Sequence, residues 1–251
     1  NIQTVRIKEL DLTTLHPLHA NDFKGGSKYI ICGKPGTGKS TLIKSILYSK
    51  KHIFPVGKVH SGTEDSNGYF SEIMPSSFIE NGLDLSNLSA IENFKKRQKY
   101  AKQYLESRGD NPWCFHIIDD CSSDNKLFKK PIFQELYKNG RHWRTMHILS
   151  LQYSLDIPPP IRACIDGIFI LREANPNMRK KLYENYGSCV DSFNEWCDLM
   201  DQLTDNYSAM FINNKTTSNN IEDCVFYYKA DPSRIPKDWK IGCREYWDFH
   251  Y

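Results

Sequence analysis

The sequence predicts an α/β fold, with a mainly parallel central sheet flanked by helices and short extensions at both ends. Three observations predict it. A glycine-rich loop joins a strand-like apolar run to an amphipathic helical pattern. Further short apolar runs alternate with helical patterns along most of the chain. The length, 251 residues, suits one large α/β domain with extensions better than two full domains. The expected layout is a single unit with an N-terminal extension over 1–27, a core over 28–213 and a C-terminal hairpin and tail over 214–251.

Composition narrows the function classes. The 33 basic and 30 acidic residues leave a formal charge of +3, which neither requires nor excludes nucleic acid, so a DNA partner must be argued from where the charges lie. Eight cysteines (32, 114, 121, 164, 189, 197, 224 and 243) form no C-x-x-C pair and lack zinc-site spacing. Several sit in apolar runs, the pattern expected of reduced intracellular thiols. No apolar run reaches membrane-spanning length and no signal-peptide core is visible, so a soluble chain without a membrane span is expected.

In chain order, Val5, Ile7, Leu10 and Leu12 alternate weakly and suggest a short edge strand. His16-Pro17 and Gly25-Gly26 then read as a linker, with His16 and His19 in a surface loop because no third metal ligand stands near them. Residues 28–32 (Lys-Tyr-Ile-Ile-Cys) read as a buried strand. It enters Gly33, Lys34, Pro35, Gly36, Thr37, Gly38, Lys39 and Ser40, which fit the Walker A spacing at every fixed position, with Thr41 continuing the nucleotide-binding stretch. Leu42, Ile43, Ile46 and Leu47 mark the apolar face of the helix that follows. Strand, loop and helix in this order let backbone N–H groups and the positive helix end converge on phosphate. Lys39 is then expected on the β- and γ-phosphates of ATP, and the Ser40 hydroxyl on Mg²⁺.

A second strand is expected over 53–60. It leads to Ser61-Gly62-Thr63-Glu64 and a polar turn at 65–68, near the nucleotide if the strand runs parallel to the first. Residues 85–108 form a long helical pattern carrying Lys95, Lys96, Arg97, Lys99, Lys102 and Arg108, with Tyr100 and Tyr104 one turn apart. It reads first as a solvated amphipathic helix whose tyrosines cover the core, and alternatively as a surface that tracks a phosphate backbone through Lys95, Lys99 and Lys102.

The run 113–118 ends in Asp119-Asp120, the Walker B form. Asp119 is expected to hold Mg²⁺, and Asp120 to orient or deprotonate the attacking water. A helix over 131–144 is broken at Asn139-Gly140. A buried strand over 146–151 then ends at Gln152, whose amide can hydrogen-bond the γ-phosphate or the water. The prolines of 156–160 predict an extended connection. A strand at 167–171 delivers Arg172. Helices follow around 177–186 and 189–203, then strands at 208–213 and 224–229 around a polar hairpin tip, 214–220, and an aromatic tail, 239–251, that packs onto the body.

Residues 33–40, Ile117-Ile118-Asp119-Asp120-Cys121, Gly140-Arg141-His142-Trp143, Ser150-Leu151-Gln152-Tyr153 and residues 157–162 together resemble the poxvirus-type DNA-packaging ATPases of nucleocytoplasmic large DNA viruses and virophages, within the FtsK/HerA superfamily. The resemblance spans residues 29–172, with weaker echoes at 61–64 and Tyr246-Trp247. It implies a RecA-like core in which the Gln152 strand lies between the P-loop and Walker B strands. It also implies a homo-oligomeric ring, pentamer or hexamer, that uses ATP and Mg²⁺ to pump double-stranded DNA into a capsid. The implied setting is the assembly site in the host cytoplasm or the virion, against a capsid vertex or inner-membrane components. Many P-loop motors place Glu after the metal-side Asp, whereas this chain has Asp120. A ring motor also needs a cation supplied in trans; Arg141 is the first choice by resemblance, then Arg162 and Arg172. The alternative class is a P-loop kinase or signalling NTPase that never touches DNA.

Overall fold

The computed structural model describes residues 7–15, 27–121, 125–152 and 157–249. Nine strands among them form one sheet: β1 (Lys8–Glu9), β2 (Lys28–Cys32), β3 (Val56–Ser61), β4 (Ile79–Asn81), β5 (Cys114–Asp119), β6 (Thr145–Leu151), β7 (Gly167–Ile170), β8 (Ser208–Asn213) and β9 (Val225–Lys229). Their order across the sheet is β1-β9-β8-β7-β2-β6-β5-β3-β4, and every pairing is parallel except those of β8. The Gln152 strand β6 therefore lies between the P-loop strand β2 and the Walker B strand β5, as the resemblance implied.

The central strands are apolar on both faces because helices cover both. Tyr29, Ile31, Phe115, Ile117 and Ile148 join one buried layer, with Leu42, Ile43, Ile46 and Leu47 of the helix Lys39–Lys50. The alternate residues Ile30, Cys32, Ile118, Leu149 and Leu151 join the other, with Phe133 and Leu136 of Pro131–Asn139 and Trp196 of Phe193–Leu203. Continuous apolar runs are what doubly covered parallel strands require. The aromatic tail packs onto the first layer: Trp239 meets Tyr48 with ring centroids 5.4 Å apart, and Tyr246 meets Phe78 at 5.1 Å.

Several expectations shift. The strand expected at 53–60 begins at Val56, after the buried Ile53 and Phe54. Residues 64–67 form a helical turn closed by Gly68, and the strand β4 lies at one sheet edge without any sequence signal strong enough to mark it. Pro159 and Pro160 do not extend the chain. They open the short helix Pro159–Arg162, because proline lacks an N–H that the first helical turn would leave unbonded anyway. On the long helix Ser89–Ser107 the tyrosines do not cover the core. Ile91, Phe94 and Gln98 form the buried line, while Tyr100 and Tyr104 are 71% and 49% exposed and stack on each other at 6.2 Å. The residues His16, His19, Tyr153 and Asp156, with the expected linker, fall outside the described residues.

Candidate active site

The parallel strands aim their carboxyl ends at one edge of the sheet, and the motif residues collect there. Strand β2 runs into the loop, and Lys39–Lys50 starts at Gly38, whose φ of 101° is open to glycine and strained for other residues. No side chain caps this helix, so its first N–H groups face the loop, an arrangement suited to an anion. Lys39 is 5% exposed; its Nζ donates to the Gly33 carbonyl at 2.6 Å and stands 3.6 Å from Asp120 Oδ1. Thr37 Oγ1 donates to the Lys34 carbonyl at 2.6 Å, tightening the loop, and Lys34 reaches Glu173 at 3.1 Å. The Gly33 N–H donates to the Leu151 carbonyl at 3.0 Å, which sets Gln152 beside the first residue of the loop.

Asp119 ends β5 and is 2% exposed. Burial raises its carboxyl to about 6. The neighbouring Asp120 carboxylate adds to that shift, and Ser150 and Lys39 oppose it. Its Oδ1 is buried without a hydrogen-bond donor among the described residues, and the nearest cation to that of Asp120 is Lys39 Nζ at 3.6 Å. A buried carboxylate oxygen left without a donor costs about 1–3 kcal/mol or more, a cost that a bound cation would remove. Asp119 and the Ser40 hydroxyl offer the hard oxygen donors that Mg²⁺ takes, so the residues present fit that ion.

Asp120 adopts φ 50°, a left-handed conformation that aspartate tolerates, and the turn brings its carboxylate to Lys39. Gly62 makes this turn possible from the β3 side. Its N–H donates to the Asp119 carbonyl at 3.0 Å, and a Cβ at position 62 would stand 2.5 Å from the Asp120 carbonyl oxygen. Glu64, read with Ser61-Gly62-Thr63 as one stretch, is structural: its carboxylate accepts the N–H groups of Phe70 and Ser71 at 3.0 and 2.8 Å.

Pro35, Gly36, Gly38, Lys39, Ser40, Thr41, Thr63 and Asp120 line one cavity of about 640 Å³. Thr63 is there because β3 is parallel to β5, as expected from the sequence. Asn67 joins them from the polar turn 65–68 expected near the nucleotide, whereas the sequence reading missed the rest of the described lining, namely Tyr207, Lys229, Ala230, Asp231 and Pro232. They come from loops far along the chain that match no motif, and only the sheet order brings them together.

The candidate trans arginines lie in other places. Arg141 sits at the amino edge of the sheet, ahead of β6, where its guanidinium stands 3.6 Å from Asp166. Arg162 donates to the Ile157 carbonyl at 2.7 Å, and Arg172 pairs with Asp201 at 3.1 Å. On the long basic helix, Lys95 and Lys99 both turn toward Glu135 of the adjacent helix and toward the Trp143 ring. The face expected to meet phosphates is thus partly neutralised by the protein itself. Lys96, Tyr100, Tyr104 and Arg108, spaced four apart, form the exposed stripe instead, with Arg108 over the Tyr104 ring at 5.3 Å.

No protein-family model matches the chain. It is 45% identical over 247 residues to uncharacterized protein 088R of Invertebrate iridescent virus 3, covering 97% of this chain and 92% of that protein. It is 37% identical over 250 residues to uncharacterized protein 015R of Frog virus 3, covering 99% and 76%. Among solved structures, the DNA-packaging ATPase B204 of Sulfolobus turreted icosahedral virus aligns with a TM-score of 0.54 at 19% identity, covering 82% of this chain and 98% of that one. EssC (ATPases 2 and 3) from Geobacillus thermodenitrificans aligns with a TM-score of 0.53 at 13% identity, covering 82% and 40%. The chain belongs to one family with the 088R and 015R proteins of these large DNA viruses, and its fold is that of the viral genome-packaging and FtsK/HerA-like ATPases.

Proposed function

We propose that the chain is a Mg²⁺-dependent ATPase that drives double-stranded DNA into a viral capsid, working as a homo-oligomeric ring of five or six subunits. The observation that carries this reading is the convergence of Lys39, Ser40, Asp119, Asp120 and Gln152 on one sheet edge, in a chain whose relatives are proteins of large DNA viruses. The loop N–H groups and Lys39 bind the β- and γ-phosphates. Ser40 and Asp119 hold Mg²⁺, which neutralises phosphate charge when bound. Asp120, tethered to Lys39, accepts the proton of the attacking water as ADP and phosphate form. Gln152, next to the loop, orients that water. The setting is the assembly site in the host cytoplasm or the virion, with a capsid vertex or inner-membrane components as anchors. Among the described residues no helix is long and apolar enough to cross a membrane.

Coupling to DNA is tested by ATP turnover with and without duplex DNA at several salt concentrations. Turnover is expected to rise several-fold with DNA and to lose that gain steeply as salt increases, because each neutralised phosphate releases counterions. The stripe Lys96, Tyr100, Tyr104 and Arg108 is the surface to alter. A rate indifferent to DNA at every salt concentration would favour the kinase or signalling NTPase reading.

In this proposal Arg141 completes the site of a neighbouring subunit. It stands about 20 Å from its own P-loop, judged from the seven residues of β6. Titrating wild-type protein with Arg141→Ala is expected to depress activity more steeply than dilution alone, since each altered subunit disables a neighbour. Loss in proportion to dilution would leave Arg141 as an anchor for Asp166.

A further inference from the structure

The nucleotide cavity has a wall that the phosphate chemistry does not use, made by Tyr207 and the segment Lys229, Ala230, Asp231 and Pro232. The sheet explains why these distant residues meet. Strand β8 runs against its neighbours, so it starts at the carboxyl edge, and β9 ends at that same edge. The turn before β8 and the segment after β9 both arrive beside the phosphate loop.

Tyr207 is held there in a conformation that bulky residues avoid. Asn206 and Tyr207 have φ values of 48° and 64°, and the Ser208 N–H donates to the Asp205 carbonyl at 3.0 Å. A four-residue turn with both central residues left-handed follows the type I′ pattern, whose second central position usually holds glycine. Tyrosine there carries backbone strain that glycine would not, and such strain concentrates at ligand clamps. Burial does not account for the tyrosine, because the residue is 65% exposed. It does sit over the last glycine of the phosphate loop: a Cβ built on Gly38 would be 3.8 Å from the Tyr207 Cβ.

We propose that Tyr207 is the stacking platform for the nucleobase, with the segment 229–232 closing the base site. This inference rests on the ATPase reading above and specifies the part of the cavity that takes the base. The cavity, about 640 Å³, is of a size that accommodates a nucleotide. Tyr207 is the one aromatic among the described residues that line it. The opposing segment is pre-shaped, because the Asp231 carboxylate accepts the Ser233 N–H at 2.9 Å and the Ser233 hydroxyl at 2.6 Å. Stacking reads a π-face and not a hydrogen-bonding edge, so ATP and GTP both gain from it.

The test compares ATP with inorganic tripolyphosphate, each with Mg²⁺, by calorimetric titration of wild type, Tyr207→Phe and Tyr207→Gly. Phe keeps the ring and is expected to bind ATP within about twofold of wild type. Gly is expected to bind ATP at least about fivefold more weakly, the lower end of the range for loss of one stacked base. The glycine variant is also expected to bind tripolyphosphate as wild type does and to melt no lower, since it relieves the turn. Equal losses for both ligands would reassign Tyr207 to holding the loop's shape, and an unchanged ATP affinity would remove the platform altogether; either overturns the proposal. Wild type that binds neither ligand would overturn the ATPase reading itself, a result distinct from both.

Discussion

Lys39→Ala is expected to reduce ATP hydrolysis at least about a hundredfold, the scale on which preorganised positive groups act on a phosphoryl transition state. The cause lies in the observed geometry: Lys39 is buried, held by the Gly33 carbonyl and poised 3.6 Å from Asp120, so its charge is preorganised at the loop. Asp120→Asn is the companion variant. Asparagine tolerates the left-handed φ of 50° and matches the carboxylate in shape, so the turn survives while the proton acceptor is lost. It is expected to bind ATP normally and turn it over at a small fraction of the wild-type rate. Steady-state kinetics beside ATP titrations separate the two effects, and equal loss of ATP affinity in both variants would sink the role given to Asp120.

Mild acid is expected to destabilise the protein through three buried histidines. His60, His116 and His147 lie on adjacent strands β3, β5 and β6, with ring centroids 5.3 and 5.1 Å apart. His116 Nδ1 and His147 Nδ1 share one proton at 2.9 Å, and His147 Nε2 bonds the Tyr137 hydroxyl at 3.0 Å. Two neutral rings can make that contact, whereas two imidazolium ions would set N–H against N–H.

Burial is the first cause that lowers all three: His60 to about 4, His147 to about 3, and His116 well below its ordinary value. The charged neighbours are Lys58 and Glu80 around His60, Arg97 and Lys58 near His116, and Lys28 near His147; Glu80 alone favours protonation. The folded state keeps these rings neutral while the unfolded chain protonates them near pH 6.5. Stability is therefore full above pH 6.5 and falls through the window down to about 4. His60 and His147 together lose on the order of 4 kcal/mol by pH 5, and His116 adds to that loss. Asp119 acts the other way: its raised folded pKa adds stability as pH falls from about 6 toward 4, on the order of 1 kcal/mol. Since domains hold about 5–15 kcal/mol in all, the loss is a large fraction of the total. Urea titrations at pH 7.5, 6 and 5 check it, and a flat profile would show that the rings are solvated in the folded state. Replacing His116 and His147 together by Phe and Leu is expected to flatten most of the slope.

The half of the candidate site proposed to hold phosphate could be located from sequence because its pattern is local. Residues 33–41 carry their own strand and helix, and Asp119-Asp120 and Gln152 each end an apolar run that could only be a doubly covered strand. Contacts made across the sheet were less legible. Tyr207 and residues 229–232 reach the cavity through the reversal at β8, and no spacing rule links Asn206-Tyr207 to a loop some 170 residues earlier. The tyrosines of the long helix were misread for a different reason. Tyr100 and Tyr104 are apolar enough to pass for core, yet they stand on the opposite side of the helix from the Ile91, Phe94 and Gln98 line, and that angle overrides composition. Lys95 and Lys99 looked free because Glu135, their partner, lies on another helix.

The edge strand β1 has a consequence for synthesis. Lys8 and Glu9 pair with Phe226 and Tyr227, so an early segment waits for a late one. At about 5–20 residues per second on the ribosome, the partner emerges some tens of seconds after the first strand. The P-loop strand and its two neighbours, β6 and β7, are complete before then, while β1 still has no place in the sheet. Folding that begins at β2 and finishes at β1 leaves the β7 edge exposed until β8 emerges some 40 residues later, which makes it the surface a ribosome-associated chaperone would have to shield.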